Sequence, residues 1–192
     1  MVLTGMINDV GAAIMTNVDK SYRMGIELTA GVKLNDMLYW SGNATFSRNK
    51  VKNFTEYVDN WDTWGQESSF FKERTLAFSP EFVAGSQLSF KYKPVEVAWV
   101  AKYVDKQYID NSQSDERKLH AYFVNDIRVN TKLLVKSIVS FELIASINNI
   151  FNAKYEANAW VYQYIEGGEH KVMDGYFPQA GRNFMVGLIV KF

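Results

Sequence analysis

The sequence has no cysteine, no charge imbalance and no long apolar run, and each absence removes a class of protein. Without cysteine there are neither disulfides nor thiolate metal ligands, and the compartment stays open. Lys+Arg and Asp+Glu number 21 each, so a nucleic-acid partner, which a basic face attracts by releasing counterions, has no electrostatic support. No stretch reaches the roughly 18 apolar residues of a membrane-crossing helix. The opening M-V-L-T-G-M-I-N-D-V has neither the basic start nor the apolar centre of a signal peptide. A membrane reading therefore makes the chain a mature form or a piece of something longer. Catalytic constellations are missing as well. His120 and His170 have no partner at metal-ligand spacing, and H-E-x-x-H, G-x-S-x-G and phosphate-cradling glycine loops do not occur. The carboxylates are scattered over polar positions, where solvated charge accounts for them. No catalytic residue, metal ligand or cofactor is expected.

What the sequence does contain is alternation. In residues 22–34, Tyr22, Met24, Ile26, Leu28, Ala30, Val32 and Leu34 are apolar, while Arg23, Gly25, Glu27, Thr29, Gly31 and Lys33 are polar or glycine. A period of two describes a β-strand with one apolar and one wet face. Its length suits a tilted bilayer-spanning strand of about 9–11 residues better than a soluble strand of about 5–6. The same alternation returns at 38–47, 82–93, 95–103, 122–135, 139–149 and 184–192. A shorter strand is expected at 2–9, beginning abruptly as if cut mid-way, with a connection at 11–20.

Short and long connections follow one another strictly. Turns are expected at Asn35 and Asp36, at Lys93 and Pro94, and near Lys136; long loops are expected at about 49–79, 105–118 and 152–181. Loops beyond about 12–15 residues are uncommon in compact soluble domains. Short turns on one side and long loops on the other are the layout of an antiparallel transmembrane β-barrel. Tyr22, Tyr39, Trp40, Tyr92, Trp99 and Tyr103 gather near strand ends, where an interfacial girdle would place them. The expected fold class is all-β: a transmembrane barrel segment of about eight strands, with short periplasmic turns and long extracellular loops. A soluble β-sandwich or lipocalin-like barrel is the alternative explanation for the rings.

Two blocks carry a family resemblance. I-N-N-I-F-N-A-K-Y-E-A-N-A-W-V-Y at 147–162 and Y-F-P-Q-A-G-R-N-F-M-V-G-L-I-V-K-F at 176–192 resemble the carboxy-terminal end of a TonB-dependent outer-membrane receptor, especially the type found in Bacteroidetes. Y-I-D-N-S at 108–112, with Arg117 and Leu119 after it, is similar to the same family. The resemblance implies a 22-stranded barrel filled by a plug domain that carries the TonB-binding box. Residues 1–192 would then be the carboxy-terminal part of the barrel, with the plug domain outside them. Phe184, Val186, Leu188, Val190 and Phe192 resemble the signal read by the outer-membrane assembly machinery.

The implied function is import of a scarce, large nutrient of the iron-siderophore, cobalamin or glycan class. Implied partners are outer-membrane lipid, the rest of the barrel with its plug, and the TonB complex through that plug. The alternative is a self-contained eight-stranded outer-membrane barrel with a structural or adhesive role. In either case the ligand-facing candidates are loop aromatics: Trp61, Trp64, Trp160 and Tyr162, with Phe70, Phe71 and Tyr164 nearby.

Overall fold

The computed structural model describes residues 2–7, 13–135 and 139–191, and every regular element in them is a strand. In chain order these are β1 (Val2–Ile7), β2 (Ala13–Thr16), β3 (Lys20–Lys33), β4 (Leu38–Asn60), β5 (Gly65–Thr75), β6 (Phe82–Tyr92) and β7 (Val95–Val104). There follow β8 (Gln107–Tyr108), β9 (Lys118–Leu119), β10 (Tyr122–Val135), β11 (Val139–Asn148), β12 (Glu156–Glu166), β13 (Glu169–Pro178) and β14 (Asn183–Lys191).

Register turns the alternation of single strands into the two faces of a sheet. Seven strands form an antiparallel wall in the order β3-β4-β6-β7-β10-β11-β14. Because opposed residues share a face, the apolar sets line up from strand to strand. Leu28 lies opposite Ala44, and Ala44 opposite Ala84. Phe90 meets Val97, Val97 meets Val129, Val129 meets Ala145 and Ala145 meets Val186. These side chains are not sealed in a core: Ile26 is 64% exposed and Val186 76%. A soluble sandwich or lipocalin-like barrel would bury one apolar face, so that alternative is set aside. From Met24 on β3 to Leu34 just past its end, the outer face covers about 25 Å of bilayer, at a rise of about 3.3 Å per residue and a tilt of about 45°. That matches the apolar band of a transmembrane barrel.

The opposite face is wet. Arg23, Glu27, Lys33, Asp126, Arg128 and Glu142 all belong to it by register. Arg128 stands 3.9 Å from Asp126, and Asn130 donates to Glu142 at 3.2 Å. On the lipid side, two indoles each donate to a side-chain oxygen beside them. Trp40 Nε1 donates to Ser86 Oγ at 2.9 Å, and Trp99 Nε1 to Asn125 Oδ1 at 3.0 Å. Aromatic rings edge the band: Phe46 and Phe82 lie 4.6 Å apart between centroids, and Phe82 and Tyr103 5.7 Å. Tyr39, expected in this girdle, instead projects from the inner face, its hydroxyl close over Gly31.

Several expectations need correction. The strand expected at 2–9 is present over Val2–Ile7, its last two positions lying outside the described residues, but the connection at 11–20 contains β2, which pairs with β1. The turn at Asn35 and Asp36 is wider than two residues. It runs from Leu34 to Met37, and Asn35 Oδ1 accepts the N–H groups of Met37 and Leu38. The turn near Lys136 lies outside the described residues. Most significantly, 49–79 and 152–181 are not irregular loops but hairpins, β4–β5 and β12–β13, that extend the wall beyond the apolar band.

Small cores occur among these extensions. Val51 and Phe54, 0% and 2% exposed, pack with Val2 and Leu76, while Ile109, Leu119 and Ala159 form a second cluster. Two residues three apart would fall on opposite faces of an ideal strand. Asn53 between them takes a left-handed backbone (φ 52), which lets both turn inward.

The lipid and lumen faces make opposite demands. Leu28→Lys in the middle of the band is expected to destabilise the folded barrel by about 2–4 kcal/mol, and Thr29→Lys on the other face by less than about 1. Denaturant unfolding in lipid vesicles measures both; equal losses would contradict the assignment of faces.

Candidate ligand-facing site on the long hairpins

Beyond the bilayer band, water can solvate a backbone, and the strands project as hairpins. β4 runs through 23 residues and turns at Trp61 to Trp64. Asn60 shapes the tip by accepting the N–H groups of Asp62 and Thr63 with its side-chain oxygen. The β12–β13 hairpin turns on Gly167 and Gly168, both at positive φ (64 and 75), as a two-residue primed turn requires.

The two tips are fastened to each other. Asp59 and Asn60 pair in parallel with Tyr164 and Ile165. The Trp61 N–H donates to the carbonyl of Ile165 at 2.9 Å. The Asp62 carboxylate accepts the N–H groups of Gly167 and Gly168, each at 2.8 Å. Those two hydrogen bonds, Gly167 first, hold its carboxyl below the usual carboxylate range, and Lys171 adds a smaller attraction.

Rings reinforce the junction. Trp61 stacks on Tyr164 with centroids 4.1 Å apart, Tyr162 lies 5.8 Å from Tyr164, and the Tyr162 hydroxyl donates to Asp59 at 2.5 Å. Trp61 Nε1 in turn donates to the Tyr162 oxygen at 3.3 Å. The structure thus brings Trp61 and Tyr162 together and adds Tyr164 and Asp59. Trp64 and Trp160 are not part of the stack. Trp64 stands at the tip, 93% exposed with φ 57, across an open cleft of about 470 Å³ from Tyr162. Trp160 lies over Gly175, where a Cβ would sit 2.2 Å from its indole nitrogen, and borders a cavity of about 280 Å³ below.

That lower cavity has a polar end. Gln163 Nε2 donates to Glu56 at 3.2 Å and to Asp110 at 3.1 Å. Arg117 Nε is 2.8 Å from Asp110 as a close ion pair, although its N–H is not aimed at that oxygen. Burial, with the Asp110 charge behind it, pushes the Glu56 carboxyl up, while Gln163 and Arg117 pull the other way. Y-I-D-N-S therefore has a structural use: Ile109 enters the small core, Asp110 takes the ion pair, and Asn111 accepts the Ala77 N–H at 2.8 Å.

The closing motifs build the neck of β12–β13. Asn149, 3% exposed and at φ 53, exchanges hydrogen bonds with Ala153 and donates to the Ala180 carbonyl. Asn152 accepts the Arg182 N–H at 3.0 Å. Phe184, Val186, Leu188 and Val190 lie on the outer face of β14, opposite Ile147, Ala145, Leu143 and Phe141. Phe192 lies outside the described residues. Sequence reasoning missed the Asp59, Asp62 and Tyr164 contacts, all between residues about a hundred positions apart. The hairpin itself was detectable, since Gly167-Gly168 between two aromatic or β-branched runs is a turn signature.

No group of three or more His, Cys, Asp or Glu side chains that could hold a metal occurs among the described residues. Fold and site together define a transmembrane β-barrel wall crowned by aromatic-bearing hairpins. Residues 2–150 match the family model described as TonB dependent receptor-like, beta-barrel, and the chain belongs to that family. No curated protein sequence matches it.

Among solved structures it is similar to the ferric yersiniabactin uptake receptor FyuA from Yersinia pestis, with a TM-score of 0.52 and 16% identity over 88% of this chain and 23% of that one. The siderophore receptor PiuA from Acinetobacter baumannii gives 0.58 and 16% over 89% and 22%. The ferric-catecholate import receptor Fiu from K12 E. coli, in its closed form, gives 0.55 and 16% over 96% and 22%. The chain spans less than a quarter of the length of these receptors. At such identity the likeness speaks for the fold. The family is one of transport receptors, not enzymes.

The Asp62 contact has a pH signature. A depressed carboxyl pKa means that the contact is fully present above the ordinary carboxylate range and is lost as pH falls through the depressed value. Since the chain has no cysteine, labels on introduced Thr63→Cys and Glu169→Cys report the distance between tips. The tips are expected to separate at acid pH, and Asp62→Ala to separate them already at neutral pH. Distances unchanged in both would show that the rings alone hold the hairpins together.

Proposed function

We propose that the chain forms part of the wall and outer hairpins of an outer-membrane importer that takes up a scarce, large nutrient by coupling to TonB. The single observation behind this reading is the pairing of a lipid-facing wall with a stacked, half-exposed aromatic junction on the hairpins beyond it. In this reading the short turns face the periplasm and the hairpins face the exterior. Among iron-siderophore, cobalamin and glycan, an iron chelate is favoured, because the three structural neighbours carry siderophore or ferric-chelate names. Trp61, Trp64 and Tyr162 would meet it, and Trp160 would stand behind them.

The outer edges of β3 and β14 are unpaired among the described residues and are not paired with each other. In hydrocarbon an open edge costs several kcal/mol per unsatisfied group, so further strands, with the plug and its TonB contact, complete the barrel in this proposal. Phe184, Val186, Leu188, Val190 and Phe192 then act as the signal to the assembly machinery, and the Bacteroidetes branch resembled at 147–162 and 176–192 is part of the same proposal.

Cells expressing the receptor that carries this chain are expected to accumulate a labelled ferric siderophore only when TonB is present. Trp61→Ala with Trp64→Ala is expected to weaken uptake affinity about tenfold. Accumulation independent of TonB would defeat the import reading. The isolated 192-residue chain is expected to migrate in detergent without heat modification, whereas a heat-modifiable band would favour the small self-contained barrel.

A further inference from the structure

The cavity of about 280 Å³ beneath the aromatic junction is built by segments that meet only in the folded chain: β1, the far half of β4, the connection after β5, the start of the β8–β9 connection, and β12. Gly5, at φ 89, lets β1 press onto β4, since a Cβ there would collide with the Tyr57 carbonyl oxygen. That close approach sets Thr4 against the cavity from one side. Phe54, Ile109 and Ala159, at 2%, 3% and 6% exposure, give it an apolar floor, and Phe78 and Trp160 continue the apolar wall.

Its charged lining is acidic. Among the described residues that line it, Glu56 and Asp110 carry charge and no cation does. Asp110 is already answered: one oxygen accepts from the Ser112 N–H and hydroxyl, and the other accepts from Gln163 and lies 2.8 Å from Arg117. Glu56 is not. Gln163 donates to its Oε1, while Oε2 has no hydrogen-bond partner and the side chain no ion pair among the described residues. Arg74 is turned instead onto the Phe71 ring, 3.7 Å from its centroid. Thr4, 8% exposed, has a hydroxyl that likewise lacks a partner among the described residues. Buried polar atoms left unmatched are costly, and a ligand that donates to both oxygens recovers that cost.

We infer that this cavity binds an aliphatic ammonium group, with Glu56 as its counter-ion, the Thr4 hydroxyl as a second acceptor, and its alkyl chain on Phe54, Ile109 and Ala159. An ammonium brings three donors on one compact charge, and a charge taken from water needs an acid that both pairs with it and accepts its hydrogen bonds. A carboxylate ligand would meet two acids, and a neutral chain would leave the Glu56 charge unanswered. The site lies on the other side of Tyr162 from the tip cleft and is independent of what is imported.

The receptor that carries this chain, purified in neutral detergent, is titrated by calorimetry with pentylamine, pentanol, pentanoate and an acetylated lysine methylamide, whose ammonium is carried on the arm of a larger body. Pentylamine is expected to bind with a dissociation constant on the order of 0.1–1 mM, about tenfold or more tighter than pentanol or pentanoate. Glu56→Gln is expected to lose on the order of thirtyfold in affinity, and Thr4→Val about fivefold. The Thr4 variant is expected to unfold no earlier than the parent, because removing an unpartnered buried hydroxyl is not destabilising, so its weaker binding is not that of a damaged fold. Glu116→Gln, at an exposed acid outside the cavity, is expected to change nothing.

Binding of the lysine amide as well as pentylamine assigns the ammonium to the arm of a larger molecule, and binding of pentylamine alone assigns it to a free small amine; both support the inference. Equal affinity for pentanol overturns it, as does unchanged affinity in folded Glu56→Gln or a parent that binds neither amine. Should Glu56→Gln fail to fold, unchanged affinity in Thr4→Val overturns it instead. None of these outcomes bears on TonB-dependent uptake, which is measured separately.

Discussion

Backbone pairing in hydrocarbon is the constraint from which the rest of this molecule follows. A peptide N–H or C=O facing lipid has no water to bond, so each wall strand must give its polar groups to a neighbour. The ladders from β3 to β14 do this through ten or so residues apiece, in one unbroken antiparallel order. Once the ladders are fixed, the side chains have only two destinations. The apolar half must face lipid, because exposing it to a water-lined lumen would forgo its burial, and the charged half must face inward. Two side-chain acceptors on the lipid side are met in the same way, since Trp40 and Trp99 turn their indole N–H groups onto the Ser86 hydroxyl and the Asn125 Oδ1.

Where the apolar band ends, the constraint relaxes and the architecture changes with it. β4 continues to Asn60, and Asn53 breaks its strict alternation so that Val51 and Phe54 share one small core. Such a switch would be costly within the band, where it would turn an apolar side chain from lipid to lumen. Beyond it, the same switch allows hairpins to pack against one another. The Asp62 carboxylate on two glycine N–H groups and the Trp61–Tyr164 stack join segments a hundred residues apart. Asn149 and Asn152 secure the base of the second hairpin against the end of β11 and the start of β14. The asparagines of the closing motifs are thus structural, supplying left-handed turns and side-chain bonds that hold a projecting element in place.

The difference between the legible and the hidden parts of the fold has the same origin. Residues 22–34 announce a two-faced strand because lipid on one side and water on the other impose opposite chemistry on adjacent positions. In β5 and β12 both faces meet water, protein or a mixture, so residues such as Gln66, Ser68, Gln163 and Tyr164 show no clean period. The strands are there, held by their partners, but no solvent boundary has written itself into them.

What the sequence by itself determined is the wall: the alternating faces, the side on which its turns are short, and the aromatic and charged composition of what projects beyond. What only the tertiary structure decided is which projecting residues meet. Trp61 found Tyr162 and Tyr164, Asp62 found Gly167 and Gly168, and Trp64 was left alone in solvent. Alternation is a local consequence of the strand and is repeated at every second residue, whereas a contact across a hundred residues depends on where two hairpins lean once their bases are anchored.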